Sequence, residues 1–240
     1  LNTADVNIST IEDPIEYQMK RINQTQVKPE IGLTFASGLR TLVRQDPDII
    51  MVGEIRDNET ASLAINASLT GHLVLSTLHT NSAAGAVPRL IDMKVEPFLI
   101  ISTIDAIIGQ RLVRKLSDKK EKYYLSKSEV ESISKVVNLD RVIQVLQDEK
   151  IVGKKDDWEN IPFYRPSKDA GEDAFKSRIG IYEVLNVSTA IKDLIIKGAS
   201  TEDMELQAKK EGMLTMLEDG IFKAAQGLTT IEEVLRVVSE

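Results

Sequence analysis

The sequence predicts an α/β protein: a doubly wound, largely parallel sheet followed by a smaller, mostly helical C-terminal lobe. Two observations lead there. Through residues 1–116, short β-prone runs alternate with helical patterns, the order expected of strands joined by crossover helices. From residue 178 onward, helix-starting Ser and Thr residues and helix-stopping glycines follow one another closely. Between them, residues 117–177 are charged, lysine-rich and weakly periodic.

Residues 6–11 form a β-prone run that ends in acids. Residues 34–44 suit a helix, with Phe35, Leu39, Leu42 and Val43 on one face and Thr34 as its cap. Ile49-Ile50-Met51-Val52 is too short for a helix and reads as a fully buried strand. A helix rich in Ala and Leu covers 59–69 and closes at Gly71; a second buried strand begins at 73–75, and a helix follows over 83–92. Residues 97–108 are cut by Ser102, Thr103 and Asp105, so they predict a buried helix rather than a membrane span. A strand at 178–185 then precedes helices at 188–197, 201–211, 213–225 and 230–238.

Composition narrows the function classes. The 240 residues are 42% hydrophobic, enough for one sizeable core and an appended lobe. With 37 acidic against 30 basic residues the formal charge is -7, a poor match to bare nucleic acid as the main partner. The absence of cysteine excludes disulfides and thiolate-bound metals. The chain opens Leu-Asn-Thr-Ala-Asp, without an initiator methionine or a signal-peptide pattern, the start expected of a trimmed piece.

Three segments carry chemistry. In Ile11-Glu12-Asp13-Pro14-Ile15-Glu16, three carboxylates follow the first strand, where an open parallel sheet places its ligands. Packed together they repel one another unless a cation shares the space. A phosphate-carrying divalent metal would relieve that repulsion, leaving one carboxylate to orient water; the plain alternative is a solvated turn at Asp13-Pro14. In Asp46 through Asp57, the 49–52 strand delivers Glu54 to its tip, with Gly53 allowing close backbone passage. Nucleotide hydrolases hold magnesium or its water with such an acid. The third segment, Thr70 through Asn81, holds both histidines of the chain. The odd spacing of His72 and His79 puts them on opposite faces of an unbroken strand. His79 falls at the acidic end and suits a phosphate contact; His72 falls at the other end and suits a structural role or a subunit contact. A hydrogen-bonded surface or core-edge histidine is the plain alternative for both.

Together these segments resemble the secretion-type ATPases of type II secretion and type IV pilus assembly, over nearly the whole chain. Glu12 to Glu16 resembles the family's aspartate box, Asp46 to Asp57 its atypical Walker B segment and Thr70 to Asn81 its histidine box. Val95-Glu96-Pro97-Phe98-Leu99, Gln110-Arg111-Leu112-Val113-Arg114 and Arg178-Ile179-Gly180-Ile181-Tyr182-Glu183 are similar to further family segments. The resemblance implies a partial RecA-like fold, with an ATPase core at 1–116, a charged insertion at 117–177 and a helical lobe at 178–240. It implies ATP and Mg2+ as cofactors. Glu16 would be the general base, Glu54 would help hold magnesium indirectly, and Glu12 and Asp13 would order the same network. His79 would approach the terminal phosphate, with His72 and Arg56 supporting nucleotide binding. It further implies a cytoplasmic hexamer at the inner membrane, working with a platform protein of a pilus or secretion machine and not with nucleic acid directly. Extension motors fit better than retraction motors, given the long segment before Arg178.

Two features depart from the family. No G-x-x-x-x-G-K-[ST] loop occurs anywhere, so nothing here cradles a triphosphate. The expectation is that this loop lies before Leu1 and that the chain alone is inactive. Many relatives also carry two Cys-x-x-Cys pairs for zinc, which would fall at Ser117 and Lys120 and at Ser167 and Ala170; none supplies a thiolate, so no zinc site is expected. Arg111, Arg114, Lys115, Lys119, Lys120 and Lys122 read as a solvated face, or as a contact for acidic lipid or a platform protein. Other classes compete. A non-catalytic assembly subunit or remnant has no physical reason to keep strand-end acids together. A metal-dependent hydrolase lacks H-x-x-x-H or H-x-H spacing, and a nucleic-acid motor of related fold sits poorly with the acidic balance.

Overall fold

The structure, a computed structural model, describes residues 1–239. The chain divides into two compact units, one of residues 1–107 and 186–207, the other of 108–185 and from 208 to the end of the described residues. In chain order the first elements are β1 (Ile8–Glu12), β2 (Ile22–Gln26), α1 (Phe35–Leu42), β3 (Ile49–Val52), α2 (Asn58–Leu69), β4 (Leu73–Ser76), α3 (Ala86–Asp92) and α4 (Pro97–Thr103). Next come β5 (Ala106–Leu116), β6 (Lys120–Tyr123), α5 (Lys127–Ser134), α6 (Leu139–Asp148), β7 (Phe163–Pro166) and β8 (Phe175–Asn186). The last four are α7 (Thr189–Ile196), α8 (Thr201–Lys210), α9 (Met216–Ala225) and α10 (Ile231–Ser239).

The first unit is built on a parallel sheet of order β2-β1-β3-β4. The central strands are the most apolar ones: Ile11, Ile50 and Val52 are inaccessible to solvent. Helix α1 begins where Thr34 accepts from Ser37 N and Ser37 Oγ accepts from Thr34 N, a reciprocal cap. It packs on β1, β3 and α2. Gly38 permits that approach, because a Cβ there would lie 2.6 Å from Ile11 Cδ1. Helix α2 is capped by Asp57, which accepts from Thr60 N at 2.8 Å. Helix α2 packs on α4, and α4 on α7.

The expected strands and helices of this unit recur within a few residues, with three corrections. Strand β2 has no apolar run to announce it, being Ile-Asn-Gln-Thr-Gln at the sheet edge. It pairs parallel with β1 through residues 13–21, too few for a helical crossover. Strand β4 is not buried: it occupies the other edge, paired on one side only, and Leu73 and Leu75 are each 44% exposed. The helix expected over 97–108 stops at Thr103, and the chain turns extended at Ile104 to enter β5.

In the second unit, β5 pairs with β8, and β6 pairs antiparallel with β7. All of residues 117–177 lie in this unit, and residues 178–239 contribute to both. The charged 117–177 stretch is held by packing. Leu125, Val142, Leu146, Ile161 and Phe163 share one buried cluster with Ile221, Ala224 and Ile231. Its weak periodicity conceals α5, capped by the Ser126–Glu129 box, and α6, capped by Asn138. The β6–β7 register pairs Lys120 with Pro166, which brings the 117–120 and 167–170 stretches side by side. There Ser167 N donates to Lys119 O at 3.0 Å, and Ala170 is buried.

The basic run read as a solvated face is largely engaged within this unit. Arg111 donates to Val237 O at 2.9 Å, Lys120 to Gly227 O at 2.6 Å and Lys119 to Asp173 at 2.7 Å. Arg114 pairs with Glu233, and Lys122 Nζ lies 6.0 Å from the Tyr164 ring centroid. Among the described residues no helix is long and apolar enough to cross a membrane.

Candidate active site

The register of the first unit decides what gathers at its carboxyl edge. Ile11 pairs with Val52, and Val52 pairs with Ser76, so three parallel strands end level. Hydrogen bonds continue past the strands. Gly53 N donates to Ile11 O at 2.8 Å, Ile55 N to Thr77 O at 3.0 Å and Thr77 Oγ1 to Gly53 O at 2.6 Å. Gly53 is needed for this closeness. A Cβ at that position would lie 3.2 Å from Ile11 O, 3.3 Å from Glu12 Cα and 3.4 Å from Phe35 Cε1.

Glu54 is the hub of this edge. Its side chain is 12% exposed, and each oxygen has a donor: Arg56 Nη2 on Oε1, and His79 Nε2 on Oε2 at 2.9 Å. Burial works to raise the Glu54 carboxyl. The hydrogen bonds from Arg56 and His79, with their charge, outweigh it and hold the group below its ordinary value of 4.5. The donors themselves are outward: the side chains of Arg56 and His79 are 65% and 79% exposed. A buried anion thus keeps two solvent-facing donors at the rim, where a phosphate could take them over.

The acids after β1 are separated rather than packed together. The Glu12 carboxylate is buried and accepts from Thr10 Oγ1 and, at 3.0 Å, from Gln24 Nε2. Asp13 and Glu16 are exposed on the loop beyond. Hydroxyl and amide donors thus satisfy Glu12, and solvent meets Asp13 and Glu16. Thr10 and Gln24 went unnoticed in the sequence. The signal was there in part, since Thr10 and Glu12 share a face of β1 by the two-residue period.

His72 does not join the site. Its Nδ1 lies 2.8 Å from Ala67 O and 3.2 Å from Thr70 Oγ1, so it fastens the start of β4 to the end of α2. That is the structural alternative of the sequence reading. Among the described residues no three His, Asp or Glu side chains converge as metal ligands. For magnesium, the group at this edge with suitable chemistry is Glu54, a buried carboxylate held below its ordinary value beside exposed donors for phosphate.

Residues 1–236 match the family model described as "Type II/IV secretion system protein". The chain is 48% identical over 242 aligned positions to the type II secretion system protein E of Xanthomonas campestris pv. campestris, covering 100% of this chain and 40% of that protein. It is 45% identical over 233 positions to the type IV pilus assembly ATPase PilB of Thermus thermophilus, covering 97% of this chain and 24% of that protein. The chain thus spans well under half the length of these relatives. Among solved structures, the pilus retraction motor PilT with bound ADP is similar at a TM-score of 0.62 and 29% identity, over 96% of this chain and 52% of that one. The acids, the glycine and the histidine at the sheet edge lie within a match that runs almost end to end, and the chain belongs to the type II/IV secretion system protein family.

Proposed function

We propose that this chain forms the acid-and-histidine side of a motor ATPase that turns ATP and water into ADP and phosphate. The observation that carries the reading is the Glu54 carboxylate at the carboxyl edge of a parallel sheet, held by Arg56 and His79. In this scheme His79 and Arg56 would turn from Glu54 to the terminal phosphates, and Glu54 would help hold magnesium through water. Magnesium, when bound, supplies neutralisation of phosphate charge. Glu16, on the exposed loop after β1, orients the attacking water. Glu12 and Asp13 keep that loop's entry in register.

The ADP bound to the retraction motor, which is similar over 96% of this chain, supports an adenine nucleotide as ligand. Identities of 48% and 45% to a type II secretion protein and a type IV pilus assembly ATPase support an assembly or secretion role. By the same relationship the whole protein acts as a hexamer, peripheral at the inner membrane and docked on a platform protein. The test is turnover by the protein as encoded, wild type against Glu16→Gln. Loss of hydrolysis with nucleotide still bound is expected, and unchanged turnover overturns the role of Glu16. The 240 residues alone contain no phosphate-cradling loop, so they should not bind ATP tightly. Micromolar binding of a fluorescent ATP analogue by this chain would sink that expectation.

A further inference from the structure

The loop that carries Glu16 is tied down by two glutamines of the edge strand β2. Register places Gln24 opposite Thr10 and Gln26 opposite Glu12. In a parallel pair, opposed side chains share a face, so these four polar residues form one patch beneath the loop. The Gln24 carboxamide makes three bonds from it. Its Nε2 donates to Glu12 Oε1 at 3.0 Å and to Tyr17 O at 2.9 Å, and its Oε1 accepts from Met19 N at 2.7 Å. Gln26 Oε1 accepts from Ile15 N at 3.4 Å.

The loop is thus held at Ile15, Tyr17 and Met19, on either side of Glu16. Glu16 itself is exposed, and its hydration leaves its direction to the backbone. A polar edge strand has no apolar reason to dock here, so these bonds are the visible cause of the loop's course. We infer that Gln24 is a positioning residue for hydrolysis: it sets the loop so that the Glu16 carboxylate faces the reacting water, and it holds Glu12 in the same act. This rests on the role proposed above for Glu16.

The experiment uses the protein as encoded. Gln24→Met keeps the side-chain length and removes all three bonds; Gln24→Ala removes the same bonds without adding charge beside Glu12. Gln24→Met should lower kcat for ATP at least about tenfold while KM stays within about twofold, because a misaimed base harms the chemical step more than binding. Combined with Glu16→Gln, it should add no further loss, since Gln24 acts through Glu16. Unchanged kcat, or a double variant slower than Glu16→Gln by the full single effect, overturns the inference.

Amide exchange provides an arm independent of turnover. The Met19 amide should exchange about tenfold faster in Gln24→Met and in Gln24→Ala than in the wild type. Equal protection in all three proteins overturns the contact. Should the wild type hydrolyse no ATP, the functional reading fails and the positioning role with it, while exchange at Met19 still decides whether Gln24 holds the loop. Should Gln24→Met fail to fold, Gln24→Ala still decides, through its kcat and the exchange of the Met19 amide.

Discussion

His79 Nε2 lies 2.9 Å from Glu54 Oε2, although 25 residues separate them in the chain. The contact exists because β3 and β4 are parallel neighbours in register, so the loops leaving them emerge together. The bond from Thr77 Oγ1 to Gly53 O, at 2.6 Å, fixes the two loops one residue short of Glu54 and two short of His79. The pairing is therefore a consequence of strand order, and it ties an exposed ring to a buried carboxylate.

This relationship separates activity from stability. Because the His79 ring is exposed, His79→Ala should cost the fold less than about 1 kcal/mol. In the protein as encoded it should lower kcat by about a hundredfold, the loss typical of one transition-state donor. Paired thermal melts and phosphate-release assays check both halves. A variant that melts much earlier would place His79 among the structural residues.

Gly53 should tolerate no side chain. The nearest neighbours of an added Cβ are the backbone of Ile11 and Glu12, which cannot swing away, and the Phe35 ring. Gly53→Ala should destabilise by about 1–3 kcal/mol by forcing β1 and β3 apart. It should also break the bonds that hold Glu54, so turnover should fall further than stability alone explains. Denaturant unfolding and single-turnover hydrolysis measure the two effects.

How much of this was legible follows from what each segment buries. Strand β3 and helix α1 could be read closely, because Ile49 to Val52 and the face of Leu39 and Leu42 are buried in the way their patterns demand. Strand β2 could not, because Gln24 and Gln26 act through their amides and leave no apolar trace. Strand β5 was hidden because its exposure alternates out of step with its polarity: Ile108 and Leu112 face outward, while Arg111 is half-buried and donates to Val237 O in α10. At the site, each strand-end acid was visible. The identity of its partner was not, since Glu54 and His79, or Glu12 and Gln24, meet only through sheet order.

The 117–177 segment should resist chelators. Its interior is aliphatic and aromatic, with Phe163 1% exposed and Trp158 stacked on it at 6.2 Å between centroids. Adding a strong chelator should leave the melting temperature unchanged. Phe163→Ala should cost about 3–5 kcal/mol, the usual loss for a buried ring. The fluorescence of Trp158, the one tryptophan in the sequence, reports both experiments. A chelator-induced drop in melting temperature would contradict the packed core.

Glu233 should give the second unit a measurable acid sensitivity. It is 3% exposed, and Arg114 and Arg236 both donate to it. The bond from Arg114, against the opposing effect of burial and with help from Arg236, holds its carboxyl at about 2, below the ordinary 4.5. A carboxyl depressed on folding stabilises fully above its unfolded value, and that contribution is lost as pH falls through the folded value. Both arginines are about half exposed, which discounts the pair by solvent screening. Glu233→Gln should therefore cost about 1–3 kcal/mol at neutral pH, less than a fully buried pair would. The gap between wild type and variant, from denaturant unfolding followed at Trp158, should be full above pH 4.5 and shrink toward pH 2. A gap that stays constant across that window would mean that shape, not charge, holds Glu233 in place.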